Sequence, residues 1–361
     1  MRLHKCNCTY IPPFVVGHVI KSGGDKLRQS AQASDRQAKV SRAQRAKRPV
    51  EQREFLEGAR IHGETPAAVA GITVPPPASS SRLVYDCEHQ WVQRVTLKRG
   101  EGDPATGDSD INAAYDSGGT VLGYFAELGR KSIDNFNMNL ILNVHFGVNY
   151  MNAFWDGDEM TFGDGDGTIF TSFAQSLDVV AHELAHGVTQ FTANLDYYSQ
   201  SGALNEHFSD VFGTAITQFH LKQEPDEADW LIGNEIMGPT LYGEALRSMK
   251  APGSAYDNPL MGKDPQPAHM DDYYSGPADN QGVHINSGIF NRAFYLTATD
   301  QIGTQKAAKV WYHALQNLWS TADFNDAVEV IAESARILTK NGEVPEGTTQ
   351  TVRLAFKEVG L

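Results

Sequence analysis

The chain has 361 residues, an ordinary globular composition with 41% hydrophobic and 20% charged residues, and a formal net charge of −14. That length suits two domains plus an additional segment, and no apolar run approaches the roughly 20 residues needed to cross a bilayer. The three cysteines, Cys6, Cys8 and Cys87, cannot all pair with one another, which excludes a disulfide scaffold.

The charge is unevenly spread. Residues 1–60 hold thirteen Lys/Arg against five Asp/Glu, which leaves residues 61–361 at −22. So acidic a body repels nucleic acid and anionic membranes. The basic front reads either as a nucleic-acid arm or as a cover for the acidic body, and the second is preferred. No apolar h-region precedes Pro12-Pro13, so no Sec-type signal peptide is expected. Export by another route and a cytoplasmic location both fit.

In chain order, Tyr10-Ile-Pro-Pro-Phe-Val-Val16 reads as an extended apolar strip. Residues 25–48 have helix-forming composition that ends at Arg48-Pro49, and a second short helix is expected over 51–61. Residues 63–82, with prolines at 66 and 75–77 and a serine run, read as a protease-sensitive linker. From Leu83 to Phe173 the chain is β-rich. Strands are expected at Leu83–Tyr85, Trp91–Leu97 and Asn139–Phe146, with more between Asn152–Trp155 and Gly163–Gly167, and Ala113–Leu128 has helical spacing. After Ser209 helices are expected at 206–222, 284–302, 305–319, 323–338 and 347–358.

The stretch from Asp178 to His186 carries the strongest chemical signal. His182 and His186 are four residues apart, about 400° and about 6 Å along a helix, so both imidazoles leave one face and can hold one Zn²⁺. Glu183, about 100° round, is placed as a general base on a metal-bound water. The apolar positions Val179, Val180, Leu184, Ala185 and Val188 bury this helix. Unpaired histidines there are costly to desolvate, and a metal removes the cost. A catalytic zinc needs a third protein ligand, and Glu206 lies twenty residues after His186, room for a helix end, a loop and a second helix. Asp210, one turn later, can accept a hydrogen bond from a ligand histidine, and Asn205 is a further candidate for that supporting layer.

These segments resemble the thermolysin-like family of neutral zinc metalloendopeptidases. The resemblance is carried by Asn152-Ala-Phe-Trp155, Gly163-Asp-Gly-Asp-Gly167, Asp178–His186, Gly202–Asp210, Leu246-Arg-Ser-Met249 and Gly282–Gly288. The short front with Pro12-Pro13-Phe14 resembles the protealysin-like subgroup, whose precursors carry a brief propeptide. The resemblance implies an α+β zincin: residues 1–80 as propeptide and linker, 81–195 as a β-rich subdomain with the zinc helix, and 196–361 as a helical subdomain. It implies that His284 and Tyr197 donate to the oxyanion, that Asp279 orients His284, and that Asn152, Ala153 and Phe154 hold the substrate chain. It also implies that Arg247 binds a substrate carbonyl, and that Phe170, Phe173, Val179, Ile232 and Leu246 line the pocket for the residue after the cut. Phe173 is expected to narrow that pocket towards Leu or Ile.

One zinc is the expected cofactor. The paired calcium site of relatives looks lost, because Thr217, Leu231 and Asn234 stand beside Asp178 and Asp229. A single ion near Asp164 and Asp166 is a remaining option. Partners are protein or peptide substrates and the chain's own propeptide, with no nucleic acid or membrane. The competing reading is a non-catalytic, metal-stabilised binding or adhesion module on the same fold.

Overall fold

The computed structural model of the chain describes residues 9–46 and 79–361, with side chains for 9–41 and 79–361. The helix expected at 51–61, most of the expected linker, and Cys6 and Cys8 lie outside those residues.

The N-terminal strip is extended only as far as Pro12; Pro13–Ser22 forms helix α1, which buries Val15, Val16 and Val19. Proline is at ease at the first helical position, where its φ is preset and no N–H partner is needed. Pro13 therefore starts a helix where two successive prolines suggested extended chain. Helix α2 (Asp25–Ala46) folds back on α1. Arg28 ties the turn, donating from Nε to the Ile20 carbonyl at 3.1 Å and from Nη2 to the Gly23 carbonyl at 3.0 Å.

A five-stranded sheet follows, built from β1 (Arg82–Asp86), β2 (Thr96–Arg99), β3 (Leu140–Val144), β4 (Ala153–Trp155) and β5 (Met160–Phe162) in the order β2-β1-β3-β5-β4. The inner pairs β1/β3 and β3/β5 are parallel, and the two outer strands run antiparallel to their neighbours. Strand β4 is thus an edge of the sheet, where main-chain groups can pair with a segment from outside it. The strand expected at Trp91–Leu97 is mostly absent. Glu88, His89 and Arg94 have positive φ, which breaks an extended run, and Trp91 instead packs edge-on against Phe146 and Tyr150.

Helix α3 (Ser109–Glu127) starts at Asp108, whose Oδ1 accepts from the amides of Asp110 and Ile111, and packs on β1 and β3. Helix α4 (Leu177–Gln190) is the centre of the molecule: every residue from Asp178 to Thr189 is buried. Helix α5 (Ser199–Leu221) crosses it closely at Gly213, where a Cβ would stand 3.2 Å from the Asp178 carbonyl oxygen. Helices α6 (Ala278–Thr297), α7 (Thr304–Leu315), α8 (Phe324–Lys340) and α9 (Thr348–Glu358) complete the helical half. Asp323 and Asp326 cap α8 reciprocally, each carboxylate accepting the other's amide at 3.0 Å. The short ribbon β6 (Leu231–Ile232) and β7 (Arg247–Ser248) flanks the start of α4. The cleft lies above α4, between edge strand β4 and the residues that open α6. Among the described residues no helix is long and apolar enough to cross a membrane.

Candidate metal centre and cleft

The one-turn spacing on α4 brings Nε2 of His182 and Nε2 of His186 to 3.1 Å of each other. From α5, Glu206 places Oε2 3.4 Å from the first and Oε1 3.4 Å from the second. The outer nitrogens face acceptors: Nδ1 of His182 meets Asp210 Oδ1 at 2.8 Å, and Nδ1 of His186 meets Asn205 Oδ1 at 2.8 Å. Those acceptors favour ring protons on Nδ1, so with both rings neutral two Nε2 lone pairs and a carboxylate converge at one point. Glu206 Oε2 is buried without a hydrogen-bond partner. A cation at that point turns mutual repulsion into coordination, and a His₂Glu set suits zinc.

Electrostatics agree with this. Burial holds His186 down to about 3, in the neutral form that ligates. Burial opposes charge on His182 too, but the facing carboxylates of Asp210 and Glu206 raise it to about 9. The two carboxylates thus call for positive charge between them. Burial also works against charge on Glu206, yet the facing imidazoles of His284 and His186 hold its carboxyl well below the usual range. Asp210 accepts from His182, from Arg247 Nε at 2.9 Å and Nη2 at 2.8 Å, and from Asn291 Nδ2 at 2.8 Å. Four donors are about what one carboxylate can accept. Asn291 was not legible in the sequence, because a lone asparagine mid-helix carries no signal of its partner.

Glu183 is fully buried, and its Oε2 accepts from the Trp155 amide at 2.8 Å. The Tyr197 hydroxyl donates to Glu206 Oε1 and lies 3.1 Å from Nε2 of His284. Asp279 grips His284 twice, Oδ1 to Nδ1 at 2.6 Å and Oδ2 to the backbone amide at 2.8 Å. Burial disfavours charge on His284, but the Asp279 carboxylate raises it above the ordinary histidine range. That double grip depends on four consecutive left-handed residues, Asp279, Asn280, Gln281 and Gly282, with φ of 56°, 51°, 64° and 79°. Such a conformation costs about 1–2 kcal/mol per non-glycine residue. Sequence periodicity does not reveal it, and the helix expected from 284 shows only its regular part.

The N-terminal strip fills the cleft. Tyr10 donates its amide to the Ala153 carbonyl at 3.0 Å, and Ile11 donates to Asn152 Oδ1 at 2.9 Å. Asn152 Nδ2 returns a bond to the Ile11 carbonyl at 3.4 Å. The Thr9 carbonyl oxygen stands 3.3 Å from Nε2 of His284. The Tyr10 ring is wholly buried, edge-on to His182 at 5.1 Å and to Phe173 at 6.3 Å, with the Arg247 guanidinium 5.5 Å from its centroid. Phe170 backs Phe173 with ring centroids 5.8 Å apart, and Val179, Ile232 and Leu246 are buried in the same cluster. At Gly233 a Cβ would sit 3.0 Å from both the Tyr10 hydroxyl and Leu246, so glycine leaves room for the ring tip. Phe173 therefore does not close this space to an aromatic ring. Nη1 of Arg247 is buried with no hydrogen-bond partner. Phe154 departs from the expected set: successive strand side chains point to opposite faces, and its ring turns into the cluster of Cys87, Phe146 and Tyr150.

Among the described residues, the front segment meets the body through apolar contact and neutral hydrogen bonds. Among the described residues the ion pairs of α2 run within the helix, Arg28 to Asp25 and Lys39 to Asp35. Contacts across to the body include His18 Nε2 with the Pro259 carbonyl at 3.2 Å and the Met151 amide donating to Ser34 Oγ at 3.0 Å. Pro12 holds the extended turn before α1, and Phe14 packs partly buried on the core. Around the expected calcium position, Asp178 accepts from the Gly233 amide at 2.6 Å, and Asp229 accepts from the Leu231 amide and Asn234 Nδ2, each at 3.0 Å.

Comparison with known proteins matches residues 78–190 to the thermolysin metallopeptidase catalytic domain and 193–361 to the thermolysin metallopeptidase alpha-helical domain. An extracellular metalloprotease of Pectobacterium carotovorum subsp. carotovorum is 42% identical over 322 residues, 88% of this chain and 87% of that protein. Protease PrtS of Photorhabdus sp. (strain Az29) is 44% identical over 287 residues, 78% of this chain and 76% of that one. The solved precursor of protealysin, a metalloproteinase from Serratia proteamaculans, superposes with a TM-score of 0.82 at 38% identity, over 98% of this chain and 99% of that chain.

Proposed function

The chain belongs to the thermolysin family of metallopeptidases and is a zinc metalloendopeptidase; we propose that it is made as a zymogen cutting on the amino side of bulky hydrophobic residues, with residues 1–80 as propeptide and linker over catalytic parts at 81–195 and 196–361. The observation that carries the zymogen reading is the substrate-like seating of Thr9–Ile11 against Ala153, Asn152 and His284.

His182, His186 and Glu206 would hold zinc, which when bound would supply a Lewis acid and an acidified water. Glu183, with Oε2 fixed by the Trp155 amide, takes the water's proton and hands it to the leaving amine. His284 and Tyr197, oriented by Asp279 and by each other, donate where negative charge develops on the scissile carbonyl. Asn152 and the Ala153 carbonyl align the substrate chain as they align Ile11 and Tyr10. The free Nη1 of Arg247 takes a substrate carbonyl. The apolar pocket favours a large side chain after the cut, since burying one stabilises by about 1.5–3 kcal/mol, and an aromatic residue is accepted beside leucine. The same reading holds that the paired calcium site of relatives is lost.

The test compares peptide hydrolysis by the full chain and by its processed form, with and without chelator, on a library varied after the cut. The expected result is a slow precursor, a fast processed enzyme, loss of both rates with chelator, and preference for bulky apolar residues. A precursor as fast as the processed form overturns the zymogen reading. Equal cleavage before charged and apolar residues overturns the specificity.

A further inference from the structure

Past the ends of β1, β3 and β5, two histidines and an aspartate meet at the surface. His145 follows β3, His89 follows β1, and the His89 amide donates to the His145 carbonyl at 2.9 Å, so the segments are stitched together. Asp164 lies between the rings, Oδ1 2.9 Å from His145 Nδ1 and Oδ2 3.3 Å from His89 Nδ1. The three donor atoms fall within 4.8 Å of one another. We propose that His89, His145 and Asp164 form a second metal site, separate from the catalytic one, which takes a divalent transition cation of the zinc, cobalt or nickel class.

Three observations support it. First, His145 is oriented as ligand histidines are: Nε2 meets Asp108 Oδ2 at 3.0 Å, which keeps a proton there and leaves Nδ1 to face Asp164. Asp108 is itself fixed as the cap of α3. Second, Glu88, His89 and His145 all take positive φ, at 52°, 57° and 53°. Non-glycine residues adopt that conformation at a cost, and both histidines bear it here. Third, access is open: the His89 side chain is 61% exposed, while Asp164 at 28% and His145 at 18% form the anchored side. Two imidazoles and one carboxylate match zinc-class cations, whereas calcium and magnesium take oxygen ligands. The acid–base competitor is a proton on His145, held between Asp108 and Asp164, and metal binding must release it.

The test loads the full chain with catalytic zinc, removes loosely held metal, and titrates it with zinc chloride, reading heat and bound metal per chain. Two zinc ions per chain are expected at saturation. His89→Ala, a change on an exposed side chain, is expected to keep the first zinc and weaken the second at least tenfold. A tenfold excess of calcium is expected to leave both in place. One zinc per wild-type chain, an unchanged second site in His89→Ala, or displacement of the second zinc by calcium each overturns the proposal.

Discussion

The carbonyl oxygen of Thr9 stands 3.3 Å from Nε2 of His284, the ring nitrogen opposite the one held by Asp279. A group suited to receiving a substrate's developing charge is thus in contact with the chain's own N-terminal segment, one residue before the side chain that fills the pocket. Inhibition, as proposed, needs no separate docking surface; it borrows the one proposed for substrate. Pro12 and Pro13 follow at once, and proline offers no amide to continue the pairing along β4.

Tyr10 is the anchor of that arrangement. Tyr10→Ala empties a buried aromatic site and is expected to weaken the cover by about 2–3 kcal/mol, roughly 30- to 150-fold. The measurement is the residual hydrolytic rate of the unprocessed chain, which rises. An unchanged rate means that helices α1 and α2 hold the cover without it.

Metal and base separate by mutation. His182→Ala is expected to lose zinc and activity together. Glu183→Ala is expected to keep zinc and fold while losing hydrolysis by several orders of magnitude, and to accumulate as the uncut 361-residue chain if processing is autocatalytic. Zinc content by elemental analysis, read beside the rate, checks both. Stoichiometric zinc in His182→Ala, or activity within tenfold in Glu183→Ala, sinks the assignment.

The left-handed run before His284 offers a test of strain. Gln281, at φ 64°, has neither glycine's freedom nor asparagine's tolerance of this region. Gln281→Gly removes about 1–2 kcal/mol of native-state cost and adds about 0.5–1 kcal/mol of unfolded-state entropy. A net gain of roughly 0.5–1 kcal/mol is expected from the difference of those terms, read as a higher midpoint in denaturant. A lower midpoint shows that the Gln281 side chain itself contributes.

Cys87 supplies a pH-dependent readout. Burial pushes its thiol up to about 12. A raised pKa favours the folded state while the thiol is protonated in both states. The contribution is therefore complete below the unfolded value of about 8.5 and is lost as pH climbs towards the folded one. In the processed form at pH 8, alkylation of Cys87 is expected to run at least a hundredfold slower than in denaturant. Comparable rates mean that the sheet opens readily at the end of β1.

Much of the site was readable because its chemistry depends on short spacings: His182, Glu183 and His186 on one turn, then Glu206 and Asp210 one turn apart on the next helix. Helices with strong apolar periodicity were readable for the same reason. What escaped the sequence depends on long-range contact or on single dihedrals. Pro13 starting a helix, Phe154 facing away from the cleft, Asn291 reaching Asp210 across 81 positions, and the turn at Asp279–Gly282 are of this kind. The basic charge of the front segment suggested electrostatic docking, and most of the side chains that carry it lie outside the described residues. The described ion pairs of α2 stay within α2.

Asp210 spends its lone pairs on two different tasks. One oxygen steadies His182, and both are engaged by Arg247 beside the pocket. Whatever occupies the pocket and pulls on Arg247 therefore changes the negative charge felt behind a zinc ligand. Reciprocity requires that zinc change the grip on the occupant by the same factor. On the zymogen reading, Tyr10 and zinc are thereby coupled through Arg247 and Asp210, and release of the segment is expected to change the grip on the metal.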